Sequence, residues 1–165
     1  MLRTAVIFGG LALALGAPAA LVAQKEYVLA TGRPVLLELG PTDPRSLMQG
    51  DYMVLDYGIS RERWRDLEQR PPDGHLVLRL DEKGVGQFVR FDTPETPLAP
   101  GEFKLRYRVR QRRVRLGAES FFFQEGHAQR YEQARYGELR VADSGASVLV
   151  GLRDKERQPL GQATP

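Results

Sequence analysis

The sequence predicts an α+β protein: an N-terminal transmembrane helix followed by a mainly antiparallel β domain with two short helices. Residues 4–23 form one uncharged, largely apolar run. Beyond it, short stretches of alternating apolar and polar residues are separated by Gly, Pro and Asp turns, most cleanly over residues 103–110. Two further stretches, 61–69 and 127–136, carry apolar residues at helical spacing. Period two predicts strands and period 3.6 predicts helices.

The chain has 165 residues, enough for one ordinary domain and an appendage. Hydrophobic residues make up 42% and charged residues 27%, a globular rather than a disordered composition. There is no cysteine, so disulfides and thiolate metal sites are excluded. Formal net charge is only +3, too balanced for nucleic-acid binding driven by bulk charge.

Residues 4–23 rise about 1.5 Å each as a helix and so reach roughly 30 Å, the thickness of a bilayer core. Two readings remain open for residues 1–24. Full spanning length points to a membrane anchor, whereas Ala17-Pro18-Ala19 offers the small-x-small pattern of a cleaved signal peptide. Both place the following domain outside the cytoplasm. The positive-inside count does not orient it, because Arg3 and the amino terminus balance Lys25 and Arg33. Ala12, Gly16 and Ala20 share one face, which permits close packing against another transmembrane helix.

The domain is expected over residues 25–152, with a disordered tail at 153–165. Residues 26–31 extend the helix or begin a strand. Pro34 to Leu39 read as a strand, ended by Gly40-Pro41 and the Asp43-Pro44 turn. Residues 50–59 read as a second strand, with Tyr52, Val54 and Asp56 on one face and Met53, Leu55 and Tyr57 on the other. Neither face is polar, so this strand is expected to be central and covered on both sides. Ser60 is placed to cap a helix to about Gln69, with Trp64 packing beneath it. A hairpin follows, 75–80 with 87–91, then a proline-rich loop at 93–101.

Phe103, Leu105, Tyr107 and Val109 alternate with Lys104, Arg106, Arg108 and Arg110, one face for the core and one for water. Arg112, Arg113 and Arg115 continue the charge beyond a bulge or turn near Gln111. Lys104, Arg106, Arg108 and Arg110 have two readings: a solvated face neutralised by acids from neighbouring strands, or contact with a partner surface or anionic lipid headgroups. Near such headgroups each cation contributes about 1 kcal/mol. After Phe121-Phe122-Phe123 come the 127–136 helix and a last hairpin, 138–141 with 146–152.

Chemistry is hard to place. His75 and His127 lie in separate elements without ligand spacing, so no metal, cofactor or catalytic residue is assigned. Asp51 is read as bonding backbone amides at a strand entry. Thr42-x-x-x-Ser46-Leu47-x-x-Gly50-Asp51 resembles the frame of signal-peptidase-like serine proteases. The match is partial: Thr42 stands at the nucleophile position and Asp43-Pro44-Arg45 replaces that family's signature. A membrane-tethered hydrolase at the Thr42–Asp51 turn is therefore the alternative to a non-enzymatic protein.

Gly50-Asp51-Tyr52, Leu55 and Tyr57 match every fixed position of the motif that names the GDYxxLxY family of bacterial membrane-anchored proteins. Asp43-Pro44-Arg45 and the downstream Phe122, Glu125, Gly126, Tyr131, Ala134 and Tyr136 are similar to that family too. The resemblance implies an N-terminal membrane helix in the bacterial inner membrane and a mostly β domain in the periplasm. It also implies association with an integral, multi-pass membrane protein. It carries over no catalytic residues, and the motif residues are expected to be structural.

Overall fold

The computed structural model describes residues 2–40, 48–49, 52–62, 71–111 and 113–161, with side chains omitted at 2–6, 8, 48, 49, 61 and 62. Helix α1 (Leu2–Thr31) runs into strand β1 (Arg33–Glu38) with Gly32 alone between them. Then come β2 (Met48–Gln49), β3 (Tyr52–Val54), the single helical turn α2 (Ile59–Glu62), β4 (Asp73–Leu80), β5 (Gly86–Phe91), β6 (Glu102–Arg110) and β7 (Arg113–Arg115). The chain continues through β8 (Ser120–Phe122), the turn α3 (Ala128–Tyr131), β9 (Tyr136–Val141), β10 (Ser147–Arg153) and β11 (Pro159–Leu160). Three antiparallel sheets result, in the orders β1-β9-β10-β11, β5-β4-β6-β7 and β2-β3-β8.

Alternation along each strand builds the core. In β9, Gly137, Leu139 and Val141 are buried while Tyr136, Glu138 and Arg140 are half-buried on the other face. In β6, Phe103, Leu105 and Tyr107 point inward and Arg106, Arg108 and Arg110 are exposed. Leu76 and Leu78 of β4 and Val35 and Leu37 of β1 join the same cluster. The two four-stranded sheets meet where Leu36 and Val85 form a parallel bridge, with the Leu36 N–H donating to Gly84 O at 3.0 Å. Asp81 shapes that turn by accepting from the Lys83 and Val85 amides, and these bonds hold its carboxyl below the usual range.

α1 has two environments. Ile7 and the described side chains from residue 9 to Tyr27 are exposed, although most are apolar. At Val28 the helix meets the domain and that side chain is only 3% exposed. Gly32 closes the junction: its N–H donates to Val28 O at 2.8 Å and its carbonyl accepts from Arg140 Nη1 at 3.3 Å. A Cβ there would sit 2.4 Å from Val28 O and 3.1 Å from Arg140 Cβ. Residues 26–31 thus belong to the helix. Among the described residues no helix is long and apolar enough to cross a membrane. The side chains of Thr4, Ala5, Val6 and Phe8, part of the apolar run, lie outside those described.

Several expectations change. The strand expected over residues 50–59 is regular only at Tyr52–Val54, because the chain changes partners. It pairs with β8, then the Leu55 N–H donates to Glu119 O at 2.7 Å, then Tyr57 bridges to Leu39 beyond β1. The helix expected at 127–136 is one turn, Ala128–Tyr131. The sheet takes the rest: Arg135 N donates to Arg153 O, and Arg135 O accepts from Leu39 N, both at 2.8 Å. The tail expected from Arg153 is ordered far enough to add β11 against Leu152 and Arg153. Trp64 and the 63–69 part of the other helix lie outside the described residues.

Gly32→Ala is expected to lower stability by about 1–3 kcal/mol, since its methyl would meet backbone rather than a movable side chain. Chemical denaturation of the full chain in detergent checks this; an unchanged midpoint would show that the helix–sheet junction yields freely.

Candidate functional site

Two clusters qualify as candidate sites: the motif seam and the basic face of β6 and β7. The seam exists because residues 52–57 leave one sheet and reach another. Met53, Leu55 and Tyr57 are buried while Tyr52, Val54 and Asp56 are half-buried, so one face is fully covered and the other, expected to be covered as well, only in part. Tyr52 packs its ring 5.7 Å from that of Phe122, its register partner in β8. Phe121 and Phe123 lie 4.9 and 5.3 Å from the ring of buried Tyr131. Ala134 is buried beside them, and Gly126 turns the chain at φ 81°.

Tyr57 ends the seam at 1% exposure. Its hydroxyl donates to Ala118 O at 2.6 Å. Its ring lies so close to β9 that a Cβ on Gly137 would be 3.0 Å from Tyr57 Cε1. Burial, and secondarily the charge of Glu119, push the hydroxyl pKa well above the ordinary tyrosine range. Glu119 in turn accepts from the Leu116 and Gly117 amides, folding the 116–119 turn that presents Ala118 O. This neutral, fully bonded phenol locks strands together and has no access to a substrate. Asp43, Pro44, Arg45, Gly50 and Asp51 of the motif lie outside the described residues, as do Thr42 and Ser46.

The basic face is organised by register. Lys104 donates to Asp92 at 2.6 Å, and Arg108 Nε lies 3.2 Å from Asp73, which also faces Arg110 at 3.9 Å. Neighbouring acids thus neutralise part of the face, and the same strands leave part of it open. Arg106 stands opposite His75, and its N–H donates to Gly145 O at 2.8 Å. No ion pair joins its side chain to another described residue. β7 folds back so that Arg115 lies opposite Arg108 and Arg113 opposite Arg110. Sequence showed these two extra arginines but not their register, which depends on the turn at Gln111, φ 51°.

A latch at the other end of this sheet was missed. Glu102, its side chain 5% exposed, accepts from Arg90 at 3.1 Å and from the Ala99 amide at 3.0 Å. Arg90 also donates to Pro97 O at 3.0 Å, pinning the proline-rich loop to β5. The only cue was an acid at the first position of a strand, which rarely marks a buried role.

An open cleft of about 210 Å³ lies between the end of β1, the start of α2 and β5. Leu37, Leu39, Ile59, Val85 and Phe88 give it apolar walls, with Glu38 and Gln87 as its polar side chains. No nucleophile–base pair stands in that lining. Among the described residues no three His, Asp or Glu side chains are grouped to hold a metal.

A family model described as GDYXXLXY protein matches residues 14–152, from within α1 to the end of the β10 core. No curated protein and no solved structure matches the chain.

Tyr57→Phe is expected to cost about 1–3 kcal/mol, because Ala118 O loses its donor inside the core. The raised hydroxyl pKa also fixes a pH dependence. Its stabilising contribution is fully present below pH about 10, the unfolded tyrosine value, and declines above it as the unfolded chain releases the proton first. Denaturation midpoints measured up to alkaline pH should fall for the wild type and fall less steeply for Tyr57→Phe.

Proposed function

The chain belongs to the GDYXXLXY protein family, and from that premise we propose that it is a membrane-anchored, non-enzymatic interaction protein. α1 is the anchor in the bacterial inner membrane, the β domain stands in the periplasm, and the partner is an integral, multi-pass membrane protein. One observation carries this reading. A long helix exposes apolar side chains such as Leu13, 77% exposed, and Leu15, 65% exposed, then enters the domain through a rigid glycine junction. Apolar surface on that scale calls for a cover, which a bilayer or another helix supplies. Thr4, Ala5, Val6 and Phe8 complete the uncharged run to 20 residues. Pro18 within α1 is compatible with a membrane setting, where spanning helices tolerate proline.

The seam supports the same reading from the other side. The described motif residues are consumed in packing, so they hold a scaffold and leave recognition to the surface. No observation favours the hydrolase alternative. Of the lysines it would need, Lys104 is bound to Asp92 and Lys83 sits exposed in the β4–β5 turn.

The chain has no cysteine, which makes a single introduced one a clean reporter. Ser144→Cys, in an exposed turn, should react with a membrane-impermeant maleimide in intact cells once the outer membrane is permeabilised. The protein should stay in the membrane pellet after alkaline carbonate washing. Release by carbonate, or labelling only after lysis of the inner membrane, would overturn the anchored periplasmic reading. Crosslinking in native membranes should join the chain to an integral membrane protein. Recovery of the chain alone would overturn the partnered one.

A further inference from the structure

The register between β6 and β7 contains an arrangement that folding alone disfavours. Arg108 lies directly opposite Arg115, and Arg110 directly opposite Arg113, on the outer face of the sheet. Like charges in opposed cross-strand positions destabilise a sheet. One carboxylate, Asp73 at the start of β4, reaches the β6 pair and spans Arg108 and Arg110 with its two oxygens. The β7 arginines have no such partner among the described residues, and β7 is the last strand of its sheet. Among the described residues, the sheet is thus neutralised on one flank of β6 and left cationic on the other.

We infer that Arg108, Arg110, Arg113 and Arg115 form a docking surface for an acidic, extended segment of a protein partner. The segment's carboxylates would do for Arg113 and Arg115 what Asp73 does for Arg108 and Arg110. This deepens the reading of the chain as an interaction protein and rests on it. Geometry favours such a segment. Same-face residues on an extended chain repeat about every 6.6 Å, so carboxylates at alternate positions match the spacing of Arg113 and Arg115. Guanidinium groups pair with carboxylates through parallel hydrogen bonds, which rewards this planar match.

A protein segment is favoured over the bilayer that α1 leads to by the position of the quartet. Arg33, the first residue beyond the α1 junction, holds its guanidinium 5.1 Å over the ring of Phe103 at the start of β6. At about 3.3 Å per residue, Arg108 and Arg110 stand roughly 16–23 Å further along that strand. That exceeds the screening length of about 10 Å over which headgroup charge acts.

The test uses the full chain in phosphatidylcholine nanodiscs and a labelled synthetic peptide of alternating Glu and Thr, read by fluorescence anisotropy. The wild type should bind it, more weakly as salt rises. Arg113→Ser with Arg115→Ser should lower affinity at least about tenfold, the loss expected from removing charge-assisted bonds. Arg130→Ser, removing an exposed arginine from α3, should leave binding unchanged. The double variant should melt at the same temperature or higher, because two opposed like-charge pairs disappear, which separates lost docking from lost folding. Unchanged peptide binding by the double variant overturns the inference. So does binding that depends on the quartet only with phosphatidylglycerol vesicles and never with the peptide. If the wild type still crosslinks to a membrane protein while peptide binding ignores the quartet, this docking surface falls and the interaction reading stands.

Discussion

One buried phenol holds the sheets of this domain to one another. Tyr57 lies on a stretch that leaves β8, crosses the core and reaches the end of β1. Its ring presses on Gly137 of β9, and its hydroxyl satisfies the carbonyl of Ala118, beside β8. A smaller side chain would open a cavity between the layers, and an apolar one of the same size would orphan a buried carbonyl. Around that contact the alternation of β3, β6 and β9 can each bury one face against a common core.

Helix α1 meets this core with Gly32 alone between it and β1. Gly32 lets the end of α1 lie directly against Arg140 and Val141 of β9, with no room for a side chain between them. A flexible tether would decouple helix and sheet. A partner helix packed along α1 would therefore set the pose of the whole domain, and with it the direction in which the basic face looks.

That face shows how charge is managed by neighbours rather than by composition. Lys104 and Arg108 are partnered by Asp92 and Asp73, which the end of β5 and the start of β4 bring alongside. Surface pairs of this kind contribute up to about 1 kcal/mol each. They matter more for where positive potential survives, at the β7 edge, than for stability.

The sequence by itself determined what depends on neighbours along the chain. Alternation placed β6 and its inward residues, the Asp81–Gly84 turn set the β4–β5 hairpin, and the five motif positions carried the family. It also determined the sides of residues 52–57, because period two assigns faces whatever the strand pairs with. Tertiary structure decided what depends on residues far away. Only the shift from Phe122 to Leu39 as partner reveals why the motif strand stops being regular at Val54. Only competition from β9 cuts the 127–136 helix to a single turn, since four residues of local propensity cannot outweigh sheet bonds. Likewise, seven cations were visible between Phe103 and Ala118. Register alone decided that Asp92 and Asp73 neutralise the β6 side, while Arg113 and Arg115 have no acid partner among the described residues.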